Sequence, residues 1–503
     1  APRHVRVAIV GTGFSGLGLA IRLKQRGMDD FTLLERAADL GGTWRDNTYP
    51  GCACDVPAHL YSFSYAPNPN WSHTFARQSE IWAYLRTCAE RFGVLPHIRF
   101  GCEVREAAWD EESRLWRIST PRGELTAEVL ALGNGPLSEP ALPSISGLDR
   151  FTGTLFHSAD WHADHDLSGE RVAVIGTGAS AIQFVPHIQP RVGQLSLFQR
   201  TPPWILPRLD RVVSPRRKAF YRALPLAQRV ARDRIYWQRE IAALGLVYRP
   251  QMMRGAERLA LRHLAAQVPD AALRAKLTPN YTMGCKRILL SDDFYPALTQ
   301  PNVELVTESI REVRSGSVVT VDGAERAVDT ILLATGFHVT DMPLAAHVRG
   351  RDGQTLAAAW ADGPEAYLGT TVAGFPNLFV LIGPNTGLGH TSMVFMIESQ
   401  VTYILDALRR MDQWGIRAVE VRLEAQAAFN QQVQRRMRGT VWVSGCKSWY
   451  LDAGGRNTTL WPGFTWAFRH QTRRFDMGDY DLLPRAPEGM GVTVGSSIGA
   501  SSG

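Results

Sequence analysis

The stretch "HVRVAIVGTGFSGLGLAIRLKQRG", residues 4–27, decides how this chain folds. A β-branched apolar run leads into Gly11-x-Gly13-x-x-Gly16, and an amphipathic helical pattern follows. Each glycine has a mechanical task. Gly11 lets the strand turn, Gly13 lets backbone approach a pyrophosphate, and Gly16 lets helix and strand pack closely. Phosphates would then face a helix N-terminus, where unpaired N–H groups favour negative charge. Phe14 and Ser15 lie inside that turn. The next strand, "FTLLERA", ends in Glu35, where a carboxylate accepts hydrogen bonds from ribose hydroxyls.

The arrangement recurs in "RVAVIGTGASAIQFVPHI", residues 171–188, as Gly176-x-Gly178-x-x-Ala181 enclosing Thr177, Ala179 and Ser180. Its following strand is "QLSLFQRTPPW". Glu35 stands 24 positions after Gly11, and Arg200 stands 24 after Gly176. One geometric post therefore carries opposite charges. A carboxylate repels a ribose 2′-phosphate, whereas a guanidinium binds it bidentately, with the Thr201 hydroxyl as an added donor. The first site is expected to hold a nucleotide with a free ribose and the second to hold NADPH.

Strands in "AEVLALGNGPLSEP" and "VDTILLATGF" each leave at a small-residue turn, around Gly133 and Gly336, and each is expected to complete a nucleotide sheet. "FPNLFVLIGPNTGLGHTSMVFMIESQVTYILDALRRM" adds a strand, a loop and a long amphipathic helix capped by Thr391 or Ser392. Pieces of the first domain thus flank the second. The fold class is α/β, with two Rossmann-like domains and a helical insertion. The expected divisions are 1–145, 146–209 with the linker, the insertion 210–279, 280–330, 331–488 and a Gly/Ser-rich tail 489–503.

The insertion contains "AERLALRHLAAQV". Its alanine-rich apolar face, without aromatic anchors, predicts helix docking and a substrate-channel wall in preference to a membrane surface.

Composition excludes several other classes. The net charge of +7 comes without a nucleic-acid-binding signature, and a phosphate-rich cofactor accounts for such an excess. No apolar run reaches the ~20 residues of a membrane span, because Glu398 and Gln400 break the best candidate. Glycines interrupt the N-terminal apolar run before a signal-peptide core forms, which predicts a cytoplasmic location. The six cysteines, at 52, 54, 88, 102, 285 and 446, are read as too scattered for a disulfide framework. Cys52-x-Cys54 lacks the spacing of a redox pair or a zinc knuckle, so no metal is expected.

"FTGTLFHSADWHA", residues 151–163, carries Phe151, Gly153, His157 and Trp161 in the pattern F-x-G-x-x-x-H-x-x-x-W. On these residues and the paired glycine turns, the chain resembles the class B flavoprotein monooxygenases, specifically the type I Baeyer–Villiger enzymes, from Val5 to about Arg485. His162 departs from the Pro or Asp that closes the family fingerprint. The resemblance implies FAD in the first site and NADPH in the second, with the fingerprint relaying domain motion. It implies that Thr43, Trp44, Asp55 and Tyr61 of "GGTWRDNTYPGCACDVPAHLYSFSY" surround FAD, joined by Val104 and Met393. It places Lys286 with Arg200 and Thr201 at the 2′-phosphate, Arg287 at the flavin face with Asp55 as its orienting carboxylate, and Trp449 over the nicotinamide nucleotide. The implied reaction inserts one atom of O₂ beside a ketone carbonyl through a flavin peroxide, giving an ester or lactone. Sulfur or nitrogen oxidation is the alternative, and a non-catalytic redox sensor is a further one. The expected assembly is a monomer or weak homo-oligomer.

Overall fold

Two separate sheets form around the two glycine turns in the computed structural model, which describes residues 3–484. In the first sheet the opening strand Arg3–Val10 lies between Phe31–Leu34 and Gly123–Leu132, parallel to both. Ile98–Arg99 extends one side in parallel. A meander of Glu106–Asp110, Leu115–Thr120 and Gly123–Leu132 extends the other side antiparallel. Leu378–Val380 returns late in the chain to pair with Gly123–Leu132. Opening strands that are buried on both faces need continuous apolar sequence, and "VAIV" supplies it.

The second sheet is wholly parallel, in the order Val303–Val306, Gln194–Phe198, Arg171–Ile175, Thr330–Leu333, Thr154–His157. The strand at the expected boundary near residue 330 lies entirely in this sheet, so the chain leaves the second unit only after Leu333.

The two turns are built alike. Gly11 has φ +93°, and a Cβ there would stand 2.9 Å from the Gly133 carbonyl oxygen. Gly176 has φ +110°, and its Cβ would stand 2.4 Å from the Ala334 carbonyl oxygen. In each unit the backbone N–H after the returning strand donates to the strand before the glycine, Gly133 to Val10 at 2.8 Å and Ala334 to Ile175 at 2.9 Å. Two copies of one local solution therefore hold the two turns.

Both linkers between the units run side by side. Ala141 N–H donates to the Gly336 carbonyl, His338 N–H donates to the Glu139 carbonyl, and the Thr335 hydroxyl donates to the Ala141 carbonyl.

The insertion is helical, comprising Pro215–Ala223, Pro225–Glu240, Met253–Gln267 and Ala271–Leu277 with short turns between. Leu264, Val268 and Leu277 pack into the core of the second unit. The expectation of an insertion free of aromatic anchors is corrected here. It describes Met253–Gln267 alone, because Phe220, Trp237 and Tyr248 of the earlier turns stand exposed. Their inner positions are already taken by Tyr221, Gln228, Tyr236 and Glu240. The Gly/Ser-rich tail lies outside the described residues.

A Cβ on Gly16 would come within 1.9 Å of the Gly11 carbonyl oxygen, whereas one on Gly178 would meet nothing within 4 Å. Gly16→Ala is therefore expected to destabilise the chain by about 3 kcal/mol or to prevent folding. Gly178→Ala should keep the wild-type melting temperature and lose affinity for NADPH instead. Thermal unfolding followed by calorimetry separates the two outcomes.

Candidate active site

A continuous cleft of about 1460 Å³ runs between the two sheets. Gly11, Gly13, Phe14 and Ser15 line its first end, and Gly176, Thr177, Gly178, Ala179 and Ser180 its second. Gly16 and Ala181, expected among the cofactor contacts, stand one step behind the wall. Gly16 makes room for the Gly11 carbonyl, and Ala181 is fully buried at the start of the helix Ala181–Ile188. The cleft suits a bound dinucleotide pair, since the hydroxyls of Thr391 and Thr458 face it buried and without partners. Such groups are stable only when a ligand or water satisfies them.

Glu35 ends the second strand of the first unit and is buried. It accepts from the Thr12 N–H at 3.2 Å, the Thr12 hydroxyl at 2.6 Å and the Ala37 N–H at 3.0 Å. Arg45 adds an ion pair at 2.9 Å. Thr12 and Arg45 escaped the sequence reading, because nothing in their spacing links them to Glu35. Thr43, Trp44, Tyr61, Val104 and Met393 all line the same end. The Trp44 indole N–H donates to the Tyr61 hydroxyl at 3.0 Å, and the Tyr61 ring meets Phe14 edge-on at 5.0 Å. The helix Met393–Gln413 is capped by Ser392, whose hydroxyl accepts from the Val394 N–H at 3.2 Å. Thr391 is thereby left free to face the cleft.

Asp55 and Arg287 meet between the two ends. Asp55 Oδ2 accepts from Arg287 Nε at 2.9 Å and from Nη2 at 2.5 Å. A third of the Arg287 side chain and a quarter of the Asp55 side chain stay open, both toward the cleft. The Asp55 charge raises the Arg287 pKa further above its ordinary value, against the effect of burial. Burial alone would raise Asp55, but the charge and hydrogen bonds of Arg287 overrule it and hold the carboxyl below its usual range. The pair is therefore ionised throughout the working pH range. Loop 49–53 of the first unit also grips the second, through Gln183 and the Ala53 backbone at 3.0 Å and 3.3 Å.

At the second end, Arg200, Thr201, Lys286 and Lys447 line a side pocket of about 760 Å³. Burial and then the neighbouring Arg200 charge lower the Lys286 pKa. Two cations that repel one another beside a threonine hydroxyl form a site that a phosphate would relax. Lys447 has no signal in the sequence, and its position depends on a bond between distant loops. Cys285 and Cys446, 161 residues apart, form a disulfide. The cysteines, read as too scattered for a disulfide framework, do supply this one bond, because the fold brings two distant loops together. Lys286 and Lys447 are the residues that follow these cysteines, so the bond sets one beside the other. Trp449, on the same loop, is 44% exposed and lines the cleft. Cys52 and Cys54 are buried, and burial raises both thiol pKa values, that of Cys52 to about 11. No cluster suited to a metal occurs among the described residues.

The fingerprint residues lie behind the cleft. His157 ends the edge strand Thr154–His157 in register with Leu333. It is buried, its Nδ1 accepts from the Ala159 N–H at 3.1 Å, and its ring meets Phe337 edge-on at 5.7 Å. Burial lowers its pKa. Trp161 packs on Phe156 and Phe184, and a Cβ on Gly153 would stand 2.2 Å from the Asp329 carbonyl. Phe151 packs in the core on one face of the second sheet. These residues brace the turn carrying Gly336 and Phe337, which does line the cleft.

Comparison with known proteins agrees in scope with this architecture. The family described as flavin-binding monooxygenase-like matches residues 4–230. A protein of Streptomyces coelicolor named Baeyer-Villiger monooxygenase is 53% identical over 99% of this chain and 97% of its own. One of the same name from Pseudomonas aeruginosa is 53% identical over 96% and 92%. Among solved structures, an oxidised steroid monooxygenase bound to NADP superposes with TM-score 0.83 at 30% identity, covering 96% of this chain and 100% of the other. OTEMO in complex with FAD and NADP superposes with TM-score 0.86 at 26% identity, with the same coverage.

Opening the disulfide by Cys446→Ser, or with a dithiol reductant, should raise the KM for NADPH by about tenfold, the loss of roughly one charge-assisted contact. Bound flavin should stay constant. Steady-state kinetics beside the visible absorption spectrum checks both.

Proposed function

The chain belongs to the Baeyer–Villiger monooxygenases, and from that premise we propose that Arg287, oriented by Asp55, is the fixed cation at the reacting centre. The enzyme uses FAD and NADPH to insert one atom of O₂ beside the carbonyl of a small-molecule ketone, which yields an ester or lactone. FAD, once reduced by NADPH, supplies the activated oxygen. The observation that carries the residue assignment is the convergence of two alike-built nucleotide cradles on the half-buried Asp55–Arg287 pair.

The residues divide the work by charge. Glu35 favours a free ribose at the first cradle and disfavours a phosphorylated one. Arg200, Thr201 and Lys286, joined by Lys447, hold the 2′-phosphate at the second. Arg287 keeps its proton at any working pH, so it stabilises negative charge developing at the reacting oxygen without entering the proton balance. Asp55 fixes the direction of the guanidinium and leaves its cleft-facing side available. Phe14, Trp44 and Tyr61 form an apolar wall that keeps water from the reacting atoms. Trp449 covers the second cradle from the disulfide-tied loop.

Arg287→Ala should still bind flavin and oxidise NADPH, while ester yield falls about 100-fold and hydrogen peroxide takes its place. A normal ester yield, measured by gas chromatography of a cyclic ketone reaction, would remove Arg287 from this role. The pH dependence supplies a second test. Lys286 loses its proton at a lower pH than the ordinary 10.5 in the free enzyme. The KM for NADPH should therefore rise on the alkaline side before an unperturbed lysine would titrate, and Lys286→Arg should remove that rise.

A further inference from the structure

Positive charge is concentrated in the insertion. Residues 210–279 contain 15 Lys and Arg against five Asp and Glu, an excess of ten in a chain whose total is +7. Everything outside the insertion is therefore net negative by three.

Exposed apolar side chains gather in the same segment. On the helix Pro225–Glu240 and its C-cap, Leu226 is 66% exposed, Val230 60%, Trp237 54% and Ile241 59%. At about 100° per residue these four positions fall within a sector of about 60°. The opposite face is already engaged. Arg232 donates to the carbonyls of His59 and Ser62 at 2.8 Å and 2.9 Å, and Gln228 to that of Asn68 at 2.7 Å. Glu240 accepts from Thr465 at 2.5 Å and 2.9 Å. The hydrogen bonds that hold the helix thus lie off the outer stripe, which is left mostly to solvent.

An aromatic ledge continues it. Tyr248, 49% exposed, stacks on Phe464 at 5.0 Å, and Phe464 stacks on Trp466, itself 48% exposed, at 5.7 Å. Arg229 and Arg234, both exposed, flank the stripe on either side, with the exposed Asp233 between Arg229 and the stripe.

We propose that this face docks on an anionic lipid bilayer, with the helix Pro225–Glu240 lying in the plane of the interface. An apolar stripe rimmed by arginines, with Trp and Tyr at its edge, matches the layering of an interface: acyl chains below, headgroup phosphates at the rim. A second copy of the chain is a poor occupant, because the face lies in a segment with an excess of ten positive charges, and two such segments repel. Nucleic acid would satisfy the arginines but leave Leu226, Val230 and Ile241 against a polar backbone. Among the described residues no helix is long and apolar enough to cross a membrane, so the contact is peripheral.

The test is co-sedimentation of the FAD-loaded full chain with vesicles of phosphatidylcholine, alone or mixed with phosphatidylglycerol. Mixed vesicles should bind at least about tenfold more strongly, and added salt should weaken that binding. The double substitution Trp237→Asp with Ile241→Asp should cut binding about tenfold. Flavin content and NADPH oxidation with a water-soluble ketone should not change, since both positions are exposed and neither lines the cleft. Equal binding to neutral vesicles, no binding at low salt, or unchanged binding by the double variant would each overturn the proposal. So would a dimer that the double substitution dissolves, seen by sedimentation velocity. Binding of a DNA duplex that outcompetes the mixed vesicles would reassign the charge to nucleic acid and overturn it as well.

Discussion

The ion pair between Asp55 and Arg287 joins residues 232 positions apart, and the active cleft is organised around it. Neither charge could stay in that enclosed place alone, because desolvating an unpaired guanidinium or carboxylate costs more than local packing returns. Pairing offsets that cost and also fixes direction. The loop that carries Asp55 belongs to the first unit, and the segment that carries Arg287 follows the insertion in the second. Folding the two units separately would strand both charges, so the pair makes correct docking a condition of burial. The open third of Arg287 then faces the space where the two cradles meet.

Around that pair the chain uses one local design twice. A strand, a glycine with positive φ, and a returning strand whose backbone closes over it recur with different side chains. Because the backbone is repeated, selectivity falls to the single post after the second strand of each unit. Glu35 is buried in a ring of donors, whereas Arg200 stands exposed beside Lys286. In the function proposed above, the enclosed carboxylate reads hydroxyls and the open pair of cations takes a phosphate, which assigns the asymmetry of the two cofactors to these positions.

What could be read from sequence follows from range. The glycine turns, Glu35 and Arg200 were legible, since each rests on spacing within about 30 residues. Asp55 and Arg287 were legible only through resemblance, because no local pattern pairs them. Arg45, Gln183 and Lys447 were not legible, for their partners come from other loops or the other unit. Neither was the bond from Cys285 to Cys446, whose separation gives no hint of contact. The aromatic edge of the insertion was missed for another reason. The alanine-rich pattern of "AERLALRHLAAQV" stands for one helix of the insertion, and Trp237 and Tyr248 lie outside it.

The paired linkers bear on how the two halves can move. Two crossings hydrogen-bonded edge to edge resist splaying but twist readily, so on their own they permit a swivel about a shared axis. The disulfide adds a third covalent tie between the halves, well away from that axis in sequence. Hydrogen bonds from the insertion and from loop 49–53 also cross between the halves. Opening the sulfur bridge therefore loosens the loop that carries Lys447 and Trp449 while the halves stay clamped elsewhere.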